Sequence, residues 1–265
     1  WRQGSAFIGY AVRSGCGEEG RSPRKDSCLS RNVSCISDGI VSLSRIEGSL
    51  GRSETLHQDR KRNGKKRRIT EIKMEIRYTD IGLNLFSGQY RGKEERIIEN
   101  AHAAGVRVII TGSSLYSSLC AAEFCADYSG EKVYFTAGIH PHDAKNCDKE
   151  ALKRIREIVR DNTENIVAVG ECGLDYDRMF SPAEVQVKAF EDQLEIAGES
   201  GLPLFLHERD AADDFIKILE KNPDLAKRAV VHCFTGDRET VQAYLSLGCM
   251  IGITGWVCDE RRNQS

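Results

Sequence analysis

IVAVGECGLD, Ile166 to Asp175, decides the fold. Its first half is a short apolar run rich in β-branched residues, which reads as a buried strand. Its second half breaks abruptly into Gly170-Glu171-Cys172-Gly173 at the end of that run. An acid between glycines beside a core fits a solvated turn equally well when taken alone. Two later stretches have the same form. PLFLHERD (Pro203 to Asp210) and AVVHCFTG (Ala229 to Gly236) each run as an apolar strand ending in one His. Glu171, His207 and His232 thus occupy equivalent points of three successive strands. In a parallel barrel such points converge on one face, where active sites lie. Two imidazoles and a carboxylate there form a ligand set for a divalent metal. A lone His is more often structural; two in register with an acid are not.

Working outward, strand and helix signals alternate. YTDIGLNL (Tyr78 to Leu85) is a first strand, with a helix over residues 93–104 ended by Gly105. A strand over residues 106–114 precedes a helix at 115–128. A third strand, 133–141, precedes a helix at 149–160 with Leu152, Ile155, Ile158 and Val159 inward. After the fourth strand, Ser181-Pro182-Ala183-Glu184 reads as N-cap, first-turn proline and capping-box Glu. Strands at 204–207, 229–234 and 249–256 follow. Seven strands alternating with six helices predict a parallel α/β architecture. The open doubly wound sheet usually carries a GxGxxG loop after its first strand, and IGLNLFSG has none. Polar residues at the ends of strands one, three, four, five and six favour a TIM (β/α)8 barrel. With about seven strands present it is incomplete, the eighth missing, and the chain reads as truncated.

Composition separates two regions. The 265 residues are 40% hydrophobic and 29% charged, with a net charge of -2, as in ordinary soluble proteins. Residues 1–73 hold 16 Lys+Arg against 8 Asp+Glu, hence +8, and the remainder carries -10. The first region shows little periodicity and contains RKRNGKKRR (Arg60 to Arg68). It reads as a disordered or spurious extension, upstream sequence preceding Met74, with 74–265 as the barrel domain. A nuclear-import or nucleic-acid role of the basic run is the other reading. No apolar run approaches the roughly 18 residues of a membrane helix, and the start lacks a signal-peptide pattern. The expected localisation is cytoplasmic, or nuclear if the basic run acts. Ten cysteines without CxxC pairs read as reduced thiols.

GECGLDYD, LPLFLHERDA, VVHCFTG and GCMIGITGWVCDERR together resemble the TatD family of metal-dependent deoxyribonucleases. DIGLNL and TAGIHPHDA match at the ends of strands one and three, so the resemblance runs from about Asp80 to Arg262. It implies an amidohydrolase-type barrel that hydrolyses DNA phosphodiesters through metal-activated water, and exonuclease action fits the acidic barrel. The family's metal ligands fall on Glu171, His207 and His232. Its HPH motif falls on His140 and His142, near the substrate phosphate. For His140 a structural reading, with Pro141 fixing the loop, stands alongside. Many relatives carry His-x-His at the end of strand one, where this chain has Gly82 and Asn84. One tightly bound divalent cation is therefore expected, Mg²⁺ with Mn²⁺ or Zn²⁺ as alternatives. Asp80 and Asn84 remain candidates for contact with metal or substrate through water. Glu208, beside a ligand but alternating to the other face, is expected to be neutral. The family's general base or ligand, an Asp in an ETDAPY-like motif on strand eight, falls beyond Ser265. The expectation is weak nuclease activity, or none, for residues 1–265.

Two other functions fit the residues. A barrel metallohydrolase for a small ester, lactone or amide would use the same ligands. A non-catalytic nucleic-acid binder would use the basic run, with salt-sensitive, metal-independent binding lost on deleting residues 1–73.

Overall fold

The computed structural model describes residues 76–255, together with three short upstream strands at Tyr10–Val12, Cys35–Ile36 and Ile40–Val41. The basic run Arg60 to Arg68 and most of the expected extension lie outside the described residues. Seven strands pair in chain order, all parallel: β1 (Tyr78–Leu83), β2 (Val106–Ile110), β3 (Tyr134–Ala137), β4 (Ile166–Asp175), β5 (Leu204–Arg209), β6 (Ala229–Val231) and β7 (Met250–Ile253). Sequential order without reversal excludes the doubly wound sheet. The sheet is the curled seven-strand arc of a TIM barrel, as expected. Tyr10–Val12 adds an eighth, antiparallel strand on the free side of β7, with Ala11 opposite Gly252.

Helices cover the outside: α1 (Glu94–Ala103), α2 (Leu115–Asp127), α3 (Lys149–Asp161), α4 (Ala183–Ser200), α5 (Ala212–Glu220), the single turn α6 (Pro223–Ala226) and α7 (Arg238–Ser246). The inward face of α3 is the expected one, with Leu152, Ile155, Ile158 and Val159 buried. Its first turn is held by Asp148, whose carboxylate accepts the Ala151 amide at 2.8 Å. Asp148→Ala leaves that amide without its cap. It should destabilise the protein by about 1 kcal/mol, read as a lower urea midpoint with an unchanged slope.

The strand at Ile166 departs from expectation. The chain does not turn at Gly170; β4 runs on to Asp175, pairing Gly173 with His207 and Asp175 with Arg209. Gly170 and Gly173 have φ of 133° and 139°, and a Cβ there would sit 2.1 Å from the Phe205 carbonyl oxygen and 1.9 Å from that of His207. The two glycines therefore let β4 press against β5 where any side chain would collide. Strand β6 differs the other way. It ends at Val231, because Cys233 adopts a left-handed φ of 51°.

The start of α4 is also corrected. Pro182 is the N-cap and makes no side-chain cap, and no capping box forms with Glu184. Ser181 is fully buried, and its hydroxyl accepts the Lys145 amide at 3.1 Å. It braces the 3₁₀ turn Pro141–Asn146 instead.

Candidate metal centre and active site

The carboxyl ends of the strands surround a cavity of about 400 Å³ whose lining includes His140, His142, Glu171, His207 and His232. Glu171 is its centre. Its Oε1 lies 2.7 Å from His232 Nε2, 3.3 Å from His207 Nδ1 and 3.4 Å from His140 Nε2. The expected trio of Glu171, His207 and His232 therefore does converge. The structure adds His140: ligand atoms of His140, Glu171 and His207 all lie within 4.8 Å of one another. The turn that begins at Pro141 packs its two flanking histidines edge to face, ring centres 4.3 Å apart. His140 folds back onto Glu171, while His142 lies at the mouth of the cavity with a quarter of its side chain exposed.

Asp175 is the functional residue that sequence reading missed. It is fully buried, and its Oδ2 lies 2.8 Å from His142 Nε2 and 3.1 Å from His207 Nε2. His207 is thus bracketed by two carboxylates, Nδ1 on Glu171 and Nε2 on Asp175. An acid on the far nitrogen fixes a ligating imidazole's tautomer and orientation. The available signal was a second acid four residues after Glu171, on the same strand face if the strand continues.

Two buried glutamines of α4 hold the loops that carry these groups. Gln193 accepts the Ile139 amide at 2.7 Å and donates to its carbonyl at 3.0 Å. One heptad earlier, Gln186 accepts the Asp175 amide at 2.8 Å and donates to the Asp175 and Ser181 carbonyls. Burying amides on an apolar helix face is costly unless they are paired; here both pair with backbone next to the site.

The ionisation states follow from the geometry. Burial by itself raises the pKa of Glu171, but His140, His232 and His207 outweigh it and hold the carboxyl well below its ordinary range. Burial keeps His140 below the usual imidazole value against the pull of Glu171. Burial also opposes charging His207, yet Asp175 and Glu171 together lift it to about 9. Asp175 is pushed down despite burial, by His207, the Arg178 amide and His142.

This donor set fits a divalent cation. A buried carboxylate surrounded by imidazole nitrogens at near-ligand spacing, with one imidazole backed by an outer carboxylate, is the composition such sites use.

The remaining candidates lie on the cavity wall or just behind it. Asn84 and Gly82 line the cavity. Asp80 is buried and accepts the Gly82 amide at 3.0 Å, across the irregular end of β1 that presents them. Burial pushes its pKa up to about 7. A raised carboxyl favours the fold below the unfolded pKa of 3.8, and that contribution is lost as pH rises through about 7. Asp80→Asn, which cannot ionise, should gain stability relative to the parent by at least about 1.4 kcal/mol between pH 5 and pH 8, one pKa unit's worth. Thermal melts in chelator check this; a difference independent of pH contradicts it. Glu208, expected to be neutral on the other face, instead lines the cavity and acts as a bridge. It accepts the Ala211 amide at 2.8 Å and the hydroxyl of buried Tyr244 at 2.9 Å, tying β5 to α5 and α7.

Comparison with known proteins identifies the relatives of this chain. Residues 79–265 match the model of the TatD related DNase family. The chain belongs to the TatD family. The Klebsiella pneumoniae protein named 3′-5′ ssDNA/RNA exonuclease TatD is 45% identical over 184 residues, which are 69% of this chain and 68% of that one. The Yersinia pseudotuberculosis protein of the same name is also 45% identical, over 69% of this chain and 70% of its own. Among solved structures, the TatD homologue YJJV of Escherichia coli aligns with a TM-score of 0.60 at 26% identity, over 66% of this chain and 67% of that one. A TatD family hydrolase of Entamoeba histolytica aligns at 0.61 and 28%, covering 67% and 65%. No described helix is long and apolar enough to cross a membrane.

Proposed function

We propose that this TatD family protein is a metal-dependent hydrolase of nucleic-acid phosphodiesters that shortens single strands from an end, as the names of its relatives say of them. The observation that carries the reading is the ring of imidazoles around the buried Glu171 carboxylate at the strand ends. His140, Glu171 and His207, with His232 beside them, would hold a single divalent cation; Mg²⁺ is our choice, with Mn²⁺ and Zn²⁺ as alternatives. When bound, such a cation polarises a phosphoryl oxygen and lowers the pKa of water.

The chain's own residues do the rest. Asp175 holds His207 in register through Nε2 and orients His142 at the mouth, where we place the scissile phosphate. The Gln186 and Gln193 clamps keep both loops rigid, so the ligands need little reorganisation. Arg178 and Arg209 line the same cavity and supply positive charge for the flanking backbone. Arg209 Nε lies 3.1 Å from Asp177 Oδ2, which aims the guanidinium. A narrow, metal-lined opening in a domain of net charge -10 after Met74 suits a strand end better than a wrapped duplex.

The test uses end-labelled single-stranded and duplex oligonucleotides with Mg²⁺ or chelator. Stepwise shortening of the single strand that stops on chelation is expected. Strand cleavage indifferent to chelation contradicts the proposal, and so does hydrolysis of small esters or lactones with strands left intact.

A further inference from the structure

A second cavity, of about 520 Å³, adjoins the metal cavity and shares Gly82, Asn84 and Ser113 with it. Its chemistry is different. No charged side chain lines it among the described residues; its walls are hydroxyls, amides and rings, including Tyr90 and Tyr116. Tyr116 is 70% exposed, a large ring left open to solvent. Within the lining, Thr111 Oγ1 and Ser87 Oγ are buried and have no hydrogen-bond partner in the described structure, and Thr111 as a whole is only 3% exposed. Buried hydroxyls without partners are costly, and native proteins rarely keep them without a reason. Both hydroxyls lie beneath the cavity wall, sealed from solvent, so an occupant meets the amides and rings instead.

We infer that this second cavity is the subsite for the nucleoside adjoining the scissile phosphate, its base against Tyr116 and its polar edge on the exposed amides of Asn84 and Gln89. The inference rests on the nuclease reading and deepens it. Neutral polar walls with an aromatic face suit a base and sugar and do not suit a phosphate. The volume lies within the range of small-ligand sites, about 300–1,000 Å³. The shared wall places the neutral cavity next to the charged one, as a nucleoside is next to its own phosphate. Recognition by a ring face is tolerant of base identity, which suits a strand-shortening enzyme.

Calorimetric titration of deoxyadenosine monophosphate and of inorganic phosphate, each with Mg²⁺, tests this on the full chain. The parent protein should bind the nucleotide at least about tenfold more tightly than phosphate, a typical gain from stacking one base. Tyr116→Ala should cut that ratio about tenfold. Gln89→Ala, which removes one exposed amide of the lining, should cut it about threefold or more, in line with one hydrogen bond. Tyr116 and Gln89 are both exposed, so folding should survive both changes. Equal affinity for nucleotide and phosphate, or no binding of either, overturns the inference. An unchanged ratio in both variants also overturns it and marks a water-filled cleft only. Strand degradation is followed in parallel. Metal-dependent shortening with unchanged ratios leaves the nuclease reading standing and removes the subsite. Lowered ratios without strand shortening do the reverse.

Discussion

Replacing Glu171 by Gln is expected to abolish measurable strand hydrolysis, with a loss well beyond a hundredfold. Substitutions of outer partners at metal sites typically cost about 10–100-fold in affinity or activity, and Glu171 is the innermost group. Its Oε1 is the common neighbour of His140, His207 and His232. A carboxamide keeps the shape, loses the charge, and presents an N–H donor or a weak ligand in place of an anion. The variant also leaves the raised imidazolium of His207 with one buried counter-charge instead of two. Removing one partner of a buried charge pair costs about 3–5 kcal/mol, so the metal-free variant should melt earlier. Activity is therefore compared at a temperature where circular dichroism shows both proteins folded. Metal-dependent hydrolysis within tenfold of the parent would show that Glu171 holds no essential cation.

Asp175→Asn should lower metal affinity and hydrolysis by about 10–100-fold. The side chain is fully buried and serves two histidines at once. An amide can accept from one or both but supplies no charge to hold His207 protonated. The metal-free variant therefore has a second readout. In the parent, Asp175 and Glu171 push His207 up to about 9 against the effect of burial; in Asp175→Asn its imidazole proton resonances should titrate closer to the ordinary 6.5. An unmoved His207 titration would mean that Asp175 neither orients nor charges that ring.

How much of this was legible in the sequence depends on the residue. The strand-end register of Glu171, His207 and His232 could be read because β4, β5 and β6 are parallel, and equal positions along parallel strands meet at one rim. The seven-strand alternation was legible for the same reason, and its sequential pairing followed. His140 was harder. His140 and His142 are two residues apart, and only the tight turn at Pro141 sends one inward and the other to the mouth. Spacing does not encode that. Asp175 was hidden by a sound local rule, that glycines end strands. The rule failed because Gly170 and Gly173 admit the close approach of β5, a long-range demand that no local pattern announces. Gln186 and Gln193 did leave a signal, seven residues apart on the face of α4 that Phe190, Leu194 and Ala197 bury. Polar residues on a buried stripe ask for partners, and theirs are the backbone of the site loops.

The central claim is that the imidazole ring around Glu171 holds a divalent cation. Crystals grown with Mn²⁺ and measured at the manganese absorption edge test it directly. An anomalous peak about 2.0–2.3 Å from a Glu171 carboxylate oxygen and from ring nitrogens of at least two of His140, His207 and His232 is the predicted result. A protein that degrades single strands with Mn²⁺ while showing no peak among these residues, or a peak elsewhere, would contradict the account.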